Sequence, residues 1–145
     1  MIEFLKKYRI YTFSLILFIY CILLVILTSL PGNPASKTYQ MDKLYHIAAY
    51  GLLSFILYFF LIFQNRVQFL KKFPATFTLI LATTFGFMNE LHQIFIPTRT
   101  FNKYDIFANL IGIVVSIVVI KFFLAVNKSF NSAWSNCPIS FINDS

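Results

Sequence analysis

Asp42, Lys43, His46 and Tyr50 form the first of three polar groups in a chain that is otherwise 59% hydrophobic. Glu90 and Gln93 form the second, and Arg99 with Asp105 and Asn109 the third. A histidine beside carboxylates has the elements of general base catalysis, with His46 as base and Glu90 or Asp105 as orienting acid. The same set, His46 with Asp42, Glu90 and Asp105, offers the oxygens that a hard divalent cation takes. Lys43 and Arg99 offer charge-assisted hydrogen bonds to a phosphate. An interhelical ion-pair network needs the same residue types and performs no chemistry. All four readings are open on residue type alone.

The elements that must position these residues are membrane helices. Of the 145 residues only 12% are charged, about half the share in an average soluble domain, and the mean hydropathy is +0.75. The apolar residues fall in four blocks, 10–30, 44–63, 75–96 and 106–126. Each is near the ~20 residues that carry a helix across ~30 Å of hydrocarbon. The blocks are continuous rather than alternating, and spanning segments must satisfy their own backbone groups. The expected fold is therefore an all-α bundle of four transmembrane helices. A cleavable signal peptide is the competing reading of the first block, but its core exceeds the usual 7–15 residues or so and no A-x-A site follows. Pro31-Gly32-Asn33-Pro34 reads as a helix stop and turn.

The charge pattern orients the bundle. Lys6, Lys7, Arg9, Arg66, Lys71, Lys72, Lys121 and Lys128 lie at one face, and Lys37, Lys43, Arg99 and Lys103 at the other. The positive-inside rule puts the first set, both termini and the middle loop in the cytoplasm. The net charge of +7 is thus a topology signal, and no nucleic-acid module accompanies it. The start of the second helix, the end of the third and the start of the fourth then share the extracytoplasmic face. Three of the five acidic residues, Asp42, Glu90 and Asp105, meet there with Lys43, Arg99, Lys103 and His46.

Spacing puts these residues in pairs on common helix faces, and the three faces must turn inward for the pairs to meet. Asp42 and His46 are i,i+4, with Tyr50 one turn deeper; Glu90 and Gln93 are i,i+3; Asp105 and Asn109 are i,i+4. Such pairs share a helix face. Glu90 lies roughly 7 Å below the rim if its helix ends near Phe95. A charge at that depth faces the bundle interior, and Gly86 and Gly112 on the same faces allow close helix approach. His92 reads as interfacial, and Lys121 as a side chain that snorkels to the boundary.

No Ser or Cys stands in the cluster, and the spacing matches no recognised metal or nucleophile motif. No cofactor and no metal is expected. Cys21 and Cys137 are not expected to form a disulfide. The tail over 127–145 is polar and aperiodic, with Trp134 as its one large anchor, and reads as loosely ordered.

At these residues the sequence resembles the VanZ-like family of small bacterial membrane proteins. Asp42-Lys43-x-x-His46-x-x-x-Tyr50 carries the first signature. Glu90-x-x-Gln93, Arg99 and Asp105-x-x-x-Asn109-x-x-Gly112 carry the second. With the flanking blocks the resemblance takes in residues 10–126. Ile47 stands where an aromatic often follows the histidine, and Thr98 where a glycine often precedes the arginine. The family takes its name from a protein that raises resistance to the glycopeptide teicoplanin. The resemblance therefore implies a bacterial inner-membrane protein of the cell envelope, and a link to antibiotic resistance rather than a particular reaction.

The expected function is binding or modification of a membrane component, a phosphate-bearing lipid or a lipid-linked wall precursor, at the extracytoplasmic polar site. His46, Glu90 and Asp105 are the candidate catalytic residues; Asp42, Lys43, Tyr50, Gln93, Arg99 and Asn109 are the candidate ligand-binding residues. The partners expected are membrane lipids, with self-association into a homo-oligomer left open. The alternative is an accessory subunit of a membrane complex whose polar layer only joins helices. Transport is disfavoured, because four short spans leave little room for a path.

The orientation is testable. A reporter active only in the cytoplasm should give signal when fused to residue 145 and none when fused after Lys37; the reverse result would move the polar groups to the cytoplasmic face.

Overall fold

A computed structural model describes residues 2–31, 39–97 and 99–126, with backbone alone for 2–7, 39 and 40. The described residues form the helices α1 (Ile2–Ser29), α2 (Tyr39–Phe63), α3 (Gln68–Lys72), α4 (Pro74–Gln93) and α5 (Lys103–Val126). Among the described residues three segments are long and apolar enough to cross a membrane: Tyr8–Ser29, Met41–Phe63 and Lys103–Val126. α4, the helix of the third apolar block, is outside that class. It carries Thr76, Thr78, Thr83 and Thr84 along its body and Asn89, Glu90, His92 and Gln93 at its end.

α2 is the central helix, packed against α5, α1 and α4. One core cluster joins Leu24 of α1 with Tyr50, Leu53, Leu57 and Leu61 of α2, Ala82 of α4 and Ile113 of α5. A second, nearer the end of α2, joins Tyr58, Ile62 and Phe63 to Ile120 and Leu124. α1 is the peripheral helix: Tyr11, Leu15, Phe18, Ile19 and Ile26 face outward.

α2 and α5 approach closely at Gly112. A Cβ on Gly112 would stand 2.2 Å from the Ile47 carbonyl oxygen and 3.0 Å from the Gly51 nitrogen. Only glycine fits, and its absent side chain lets the two backbones touch. Gly51 faces the same contact with more room, its own Cβ falling 3.4 Å from the Gly112 oxygen. Gly86 plays a different part, since a Cβ there would meet the Tyr50 ring at 2.9 Å and the Asn109 amide nitrogen at 3.2 Å.

Helix ends depart from the apolar blocks in consistent ways. α2 begins at Tyr39 and α5 at Lys103, ahead of the residues 44 and 106 that open the apolar runs. Their first turns hold Asp42 and Asp105, and acidic side chains are favourable at the positive end of the helix dipole. α4 starts with Pro74 in its first turn, where the missing N–H costs nothing. It ends at Gln93, and its chain leaves through tight turns, Phe95 N–H to His92 O at 3.1 Å and Ile96 N–H to Gln93 O at 3.1 Å. α3 was not foreshadowed by hydropathy. It caps a connection in which Gln64 bonds both the N–H of Val67 at 2.9 Å and its carbonyl at 2.7 Å. Lys71 donates to Asn65 Oδ1 at 2.8 Å. The expected tail over 127–145, the 32–34 part of the expected turn, and Thr98 lie outside the described residues.

Gly112→Ala should therefore destabilise the bundle by about 1–3 kcal/mol through overpacking, whereas Gly51→Ala should be close to neutral. Thermal unfolding in detergent distinguishes them; equal tolerance of both changes would contradict the backbone contact.

Candidate functional site

The α2–α5 contact positions the first half of the site. Both helices start at the same end of the bundle and run in the same direction, so matched residues meet turn by turn. One to two turns before Gly112, the Lys43 ammonium pairs with the Asp105 carboxylate, and also stands 3.7 Å from Asp42 Oδ2. His46 Nδ1 lies 2.9 Å from Asn109 Oδ1, and its Nε2 lies 3.7 Å from Asp105 Oδ2. A carbonyl oxygen accepts, so Nδ1 carries the proton in this pairing and Nε2 is the nitrogen left for proton exchange. Asp105 is 4% exposed, and a carboxylate so enclosed needs the ammonium beside it.

α4 positions the second half. Glu90, 1% exposed, accepts the Asn102 backbone N–H at 2.8 Å. Asp42, Lys43 and Arg99 are close enough to act on it electrostatically. Asn102 itself caps α5. Its side chain accepts the Tyr104 N–H at 3.1 Å, as N-cap residues do, and its amide lies 3.4 Å from Asp105 Oδ1. One residue thus links both buried carboxylates. Arg99 donates to the Leu30 carbonyl, at the end of α1, at 3.0 Å and to Gln93 Oε1 at 3.4 Å. Among the described residues no carboxylate lies within ion-pair distance of Arg99. Deeper in the bundle Asn89 donates to the Tyr50 hydroxyl at 3.2 Å and accepts from Thr28 at 2.9 Å.

Beside this layer a cleft of about 490 Å³ opens between α1 and α2. Tyr20, Leu24, Leu27 and Leu52 wall its depth, and Asp42, His46 and Arg99 line it as well. Tyr20 is fixed in place by a 3.0 Å bond from its hydroxyl to the Ala49 carbonyl. The cleft therefore has the amphiphilic character of a lipid: an apolar trough with a charged end.

Asp42, His46 and Asp105 could each turn one ligand atom toward a common point, these atoms lying within 4.8 Å of one another. The cation facing those oxygens in the structure is the Lys43 ammonium. The charge balance is close. Asp42, Glu90 and Asp105 bring three negative charges, Lys43 and Arg99 two positive ones, and a protonated His46 would supply the third.

The structure brings His46, Asp105, Asn109, Lys43 and Asp42 together on the α2–α5 seam, and Glu90, Gln93 and Arg99 beside them on the α4 side. Tyr50 lies deeper and joins the layer through Asn89 rather than through His46. Lys103, counted with the cluster on charge, stands apart: it is exposed and its ammonium lies 5.4 Å from the Tyr104 ring centroid. His92 is half-buried in the last turn of α4. Asn102, Asn89, Thr28 and the Leu30 carbonyl were missed. Asn102 was findable as an N-cap residue ahead of an apolar run, and Asn89 as a polar residue in an apolar block. Comparison with protein-family models, curated proteins and solved structures finds no match.

Lys43→Met should leave the Asp105 carboxylate enclosed without its ammonium and cost about 3–5 kcal/mol. Adding Asp105→Asn should recover much of that loss. The thermal stabilities of the single and double variants in detergent decide it, and strict additivity would rule out the pair as a coupled unit.

Proposed function

We propose that the protein is a four-span, cell-envelope membrane protein of VanZ-like type. In this reading both termini are cytoplasmic, it resides in a bacterial inner membrane, and a phosphate-bearing lipid or lipid-linked wall precursor binds at its extracytoplasmic polar layer. The cleft carries this reading. Its depth is apolar, and its charged end includes Arg99, a cation with no carboxylate in ion-pair distance among the described residues. Acyl or prenyl carbon fits the trough beside Leu24, Leu27 and Leu52. Arg99 grips the phosphate by charge-assisted bonds. Asp42 accepts from a head-group hydroxyl or amine. Modification of the head group, with His46 Nε2 as base, is the enzymatic form of the same proposal. α4 enters the bilayer in this arrangement because its polar end is covered: Glu90 and Gln93 are buried among neighbouring elements, as membrane-embedded polar residues require.

A second reading, an accessory subunit whose polar layer only joins helices, has its own support. The Lys43–Asp105 pair, the Asn102 bridge between Glu90 and Asp105, and the near balance of charge are what such a network requires.

His46→Ala and Arg99→Gln separate the two. A binding site predicts that Arg99→Gln weakens retention of phosphatidylglycerol at the cleft by roughly tenfold, as loss of one charge-assisted contact would. It also predicts that His46→Ala abolishes any tolerance of a wall-directed antibiotic conferred by the native gene, with thermal stability nearly intact. A His46→Ala protein that melts early while its folded fraction keeps full activity would favour the network.

A further inference from the structure

At the end of the bundle away from the polar layer, the connection from Gln64 to Phe73 carries Arg66, Lys71 and Lys72 and no acidic residue. Arg66 and Lys72 are exposed, whereas Lys71 is 8% exposed. Among the described residues the acidic side chains, Asp42, Glu90 and Asp105, all stand in the polar layer, and none lies within ion-pair distance of Lys71. The one polar partner of its ammonium among those residues is Asn65 Oδ1, at 2.8 Å. An ammonium has three donors, and a covered cation without a counter-charge is costly. Asn65 is exposed, so the ammonium ends just beneath the surface, where an anion from outside can supply that charge. Gln64 fixes the turn above it through its two bonds to Val67.

α3 gives the same surface an apolar half. Val67, Phe69 and Phe73 are exposed. The Phe69 ring is held edge-on between Phe73 and Phe77, with centroids 5.4 and 5.3 Å away, and Lys72 keeps its ammonium 5.5 Å from the Phe73 centroid. This fixed aromatic cluster, interleaved with cations, follows directly on α2, a helix long and apolar enough to cross a membrane. Rings and cations at that level suit the bilayer interface, the rings in the acyl boundary and the charges among head groups. A dissolved anion would answer the charges but leave the rings in water. We infer that the α3 connection docks an anionic phospholipid of the surrounding bilayer, whose phosphate is the counter-charge of Lys71, with Arg66 and Lys72 beside it. The surface shares no residue with the cleft, and the inference holds whichever leaflet it faces.

Native mass spectrometry of the full-length protein in detergent tests this, with phosphatidylglycerol and phosphatidylcholine of matched acyl chains as probes. The measurement is made on the native protein and on Arg99→Gln, so that lipid held in the cleft is not counted. Phosphatidylglycerol should be retained at least about fivefold over phosphatidylcholine in both, the factor expected of one basic side chain near an anionic lipid. Lys71→Met should lower that preference about fivefold, and Lys71→Arg should keep most of it. The exposed pair Arg66→Gln and Lys72→Gln should lower it as well without touching a buried group, and the triple change should bring the ratio close to one. Phe69→Ser should weaken retention of both lipids while circular dichroism shows the helices intact, and an excess of inorganic phosphate should not displace the phospholipid. Equal retention of the two lipids, a preference that survives the exposed pair of changes, retention indifferent to Phe69→Ser, or displacement by inorganic phosphate would each overturn the inference.

Discussion

The missing side chain of Gly112 is the constraint on which the rest of the bundle depends. With a Cβ there, α5 would be pushed off the Ile47 carbonyl by more than an ångström. Lys43 and Asp105, and His46 and Asn109, sit on the same seam within the two preceding turns, and their short contacts presuppose that separation. A direct backbone contact between parallel helices acts as a fulcrum: moving it shifts every polar pair above it. Helix association in lipid gains little from hydrophobicity and relies on such close packing, so one glycine sets both the fold and the geometry of the polar layer.

Around that seam the layer is arranged by the need to satisfy enclosed carboxylates. Asp105 takes an ammonium, and Glu90 takes a backbone N–H from Asn102, the residue that caps α5. The cap thereby ties the start of α5 to the end of α4. Arg99 extends the chain of contacts to the last carbonyls of α1, and Thr28–Asn89–Tyr50 repeats the link one turn deeper. α1 is exposed along much of its length, yet it is latched at its C-terminal end by these polar bonds. The cleft between α1 and α2 lies directly beneath the latch, so the residues that close the bundle also furnish the charged end of the cleft.

The all-helical class was legible because continuous apolar runs have few other solutions, and three of the four runs became helices apolar enough to cross a membrane. The polar side chains named from spacing were legible because a histidine or carboxylate in such surroundings is expensive and must be enclosed. Connections between them were less so. That Asn109 rather than a carboxylate holds His46 Nδ1 depends on the depth of α5 against α2, which a contact at Gly112 decides and no linear spacing reports. Gly51 was overlooked because its role exists only opposite Gly112. Lys103 was misgrouped because charge at a loop carries no direction: two residues from Asp105 along a helix is about 200° around it, enough to send the side chain outward to Tyr104.

The polar end of α4 has a consequence for how the chain is made. α1, α2 and α5 have the apolarity to partition into a bilayer on their own account, whereas α4 carries Asn89, Glu90 and Gln93 and is outside that class. Two partners of Asn89, Thr28 and Tyr50, leave the ribosome before it does; Asn102, the partner of Glu90, follows after only twelve positions. Synthesis order thus supplies a receiving surface first and the missing donor almost at once. The polar end of α4 is enclosed by its neighbours rather than by its own apolarity.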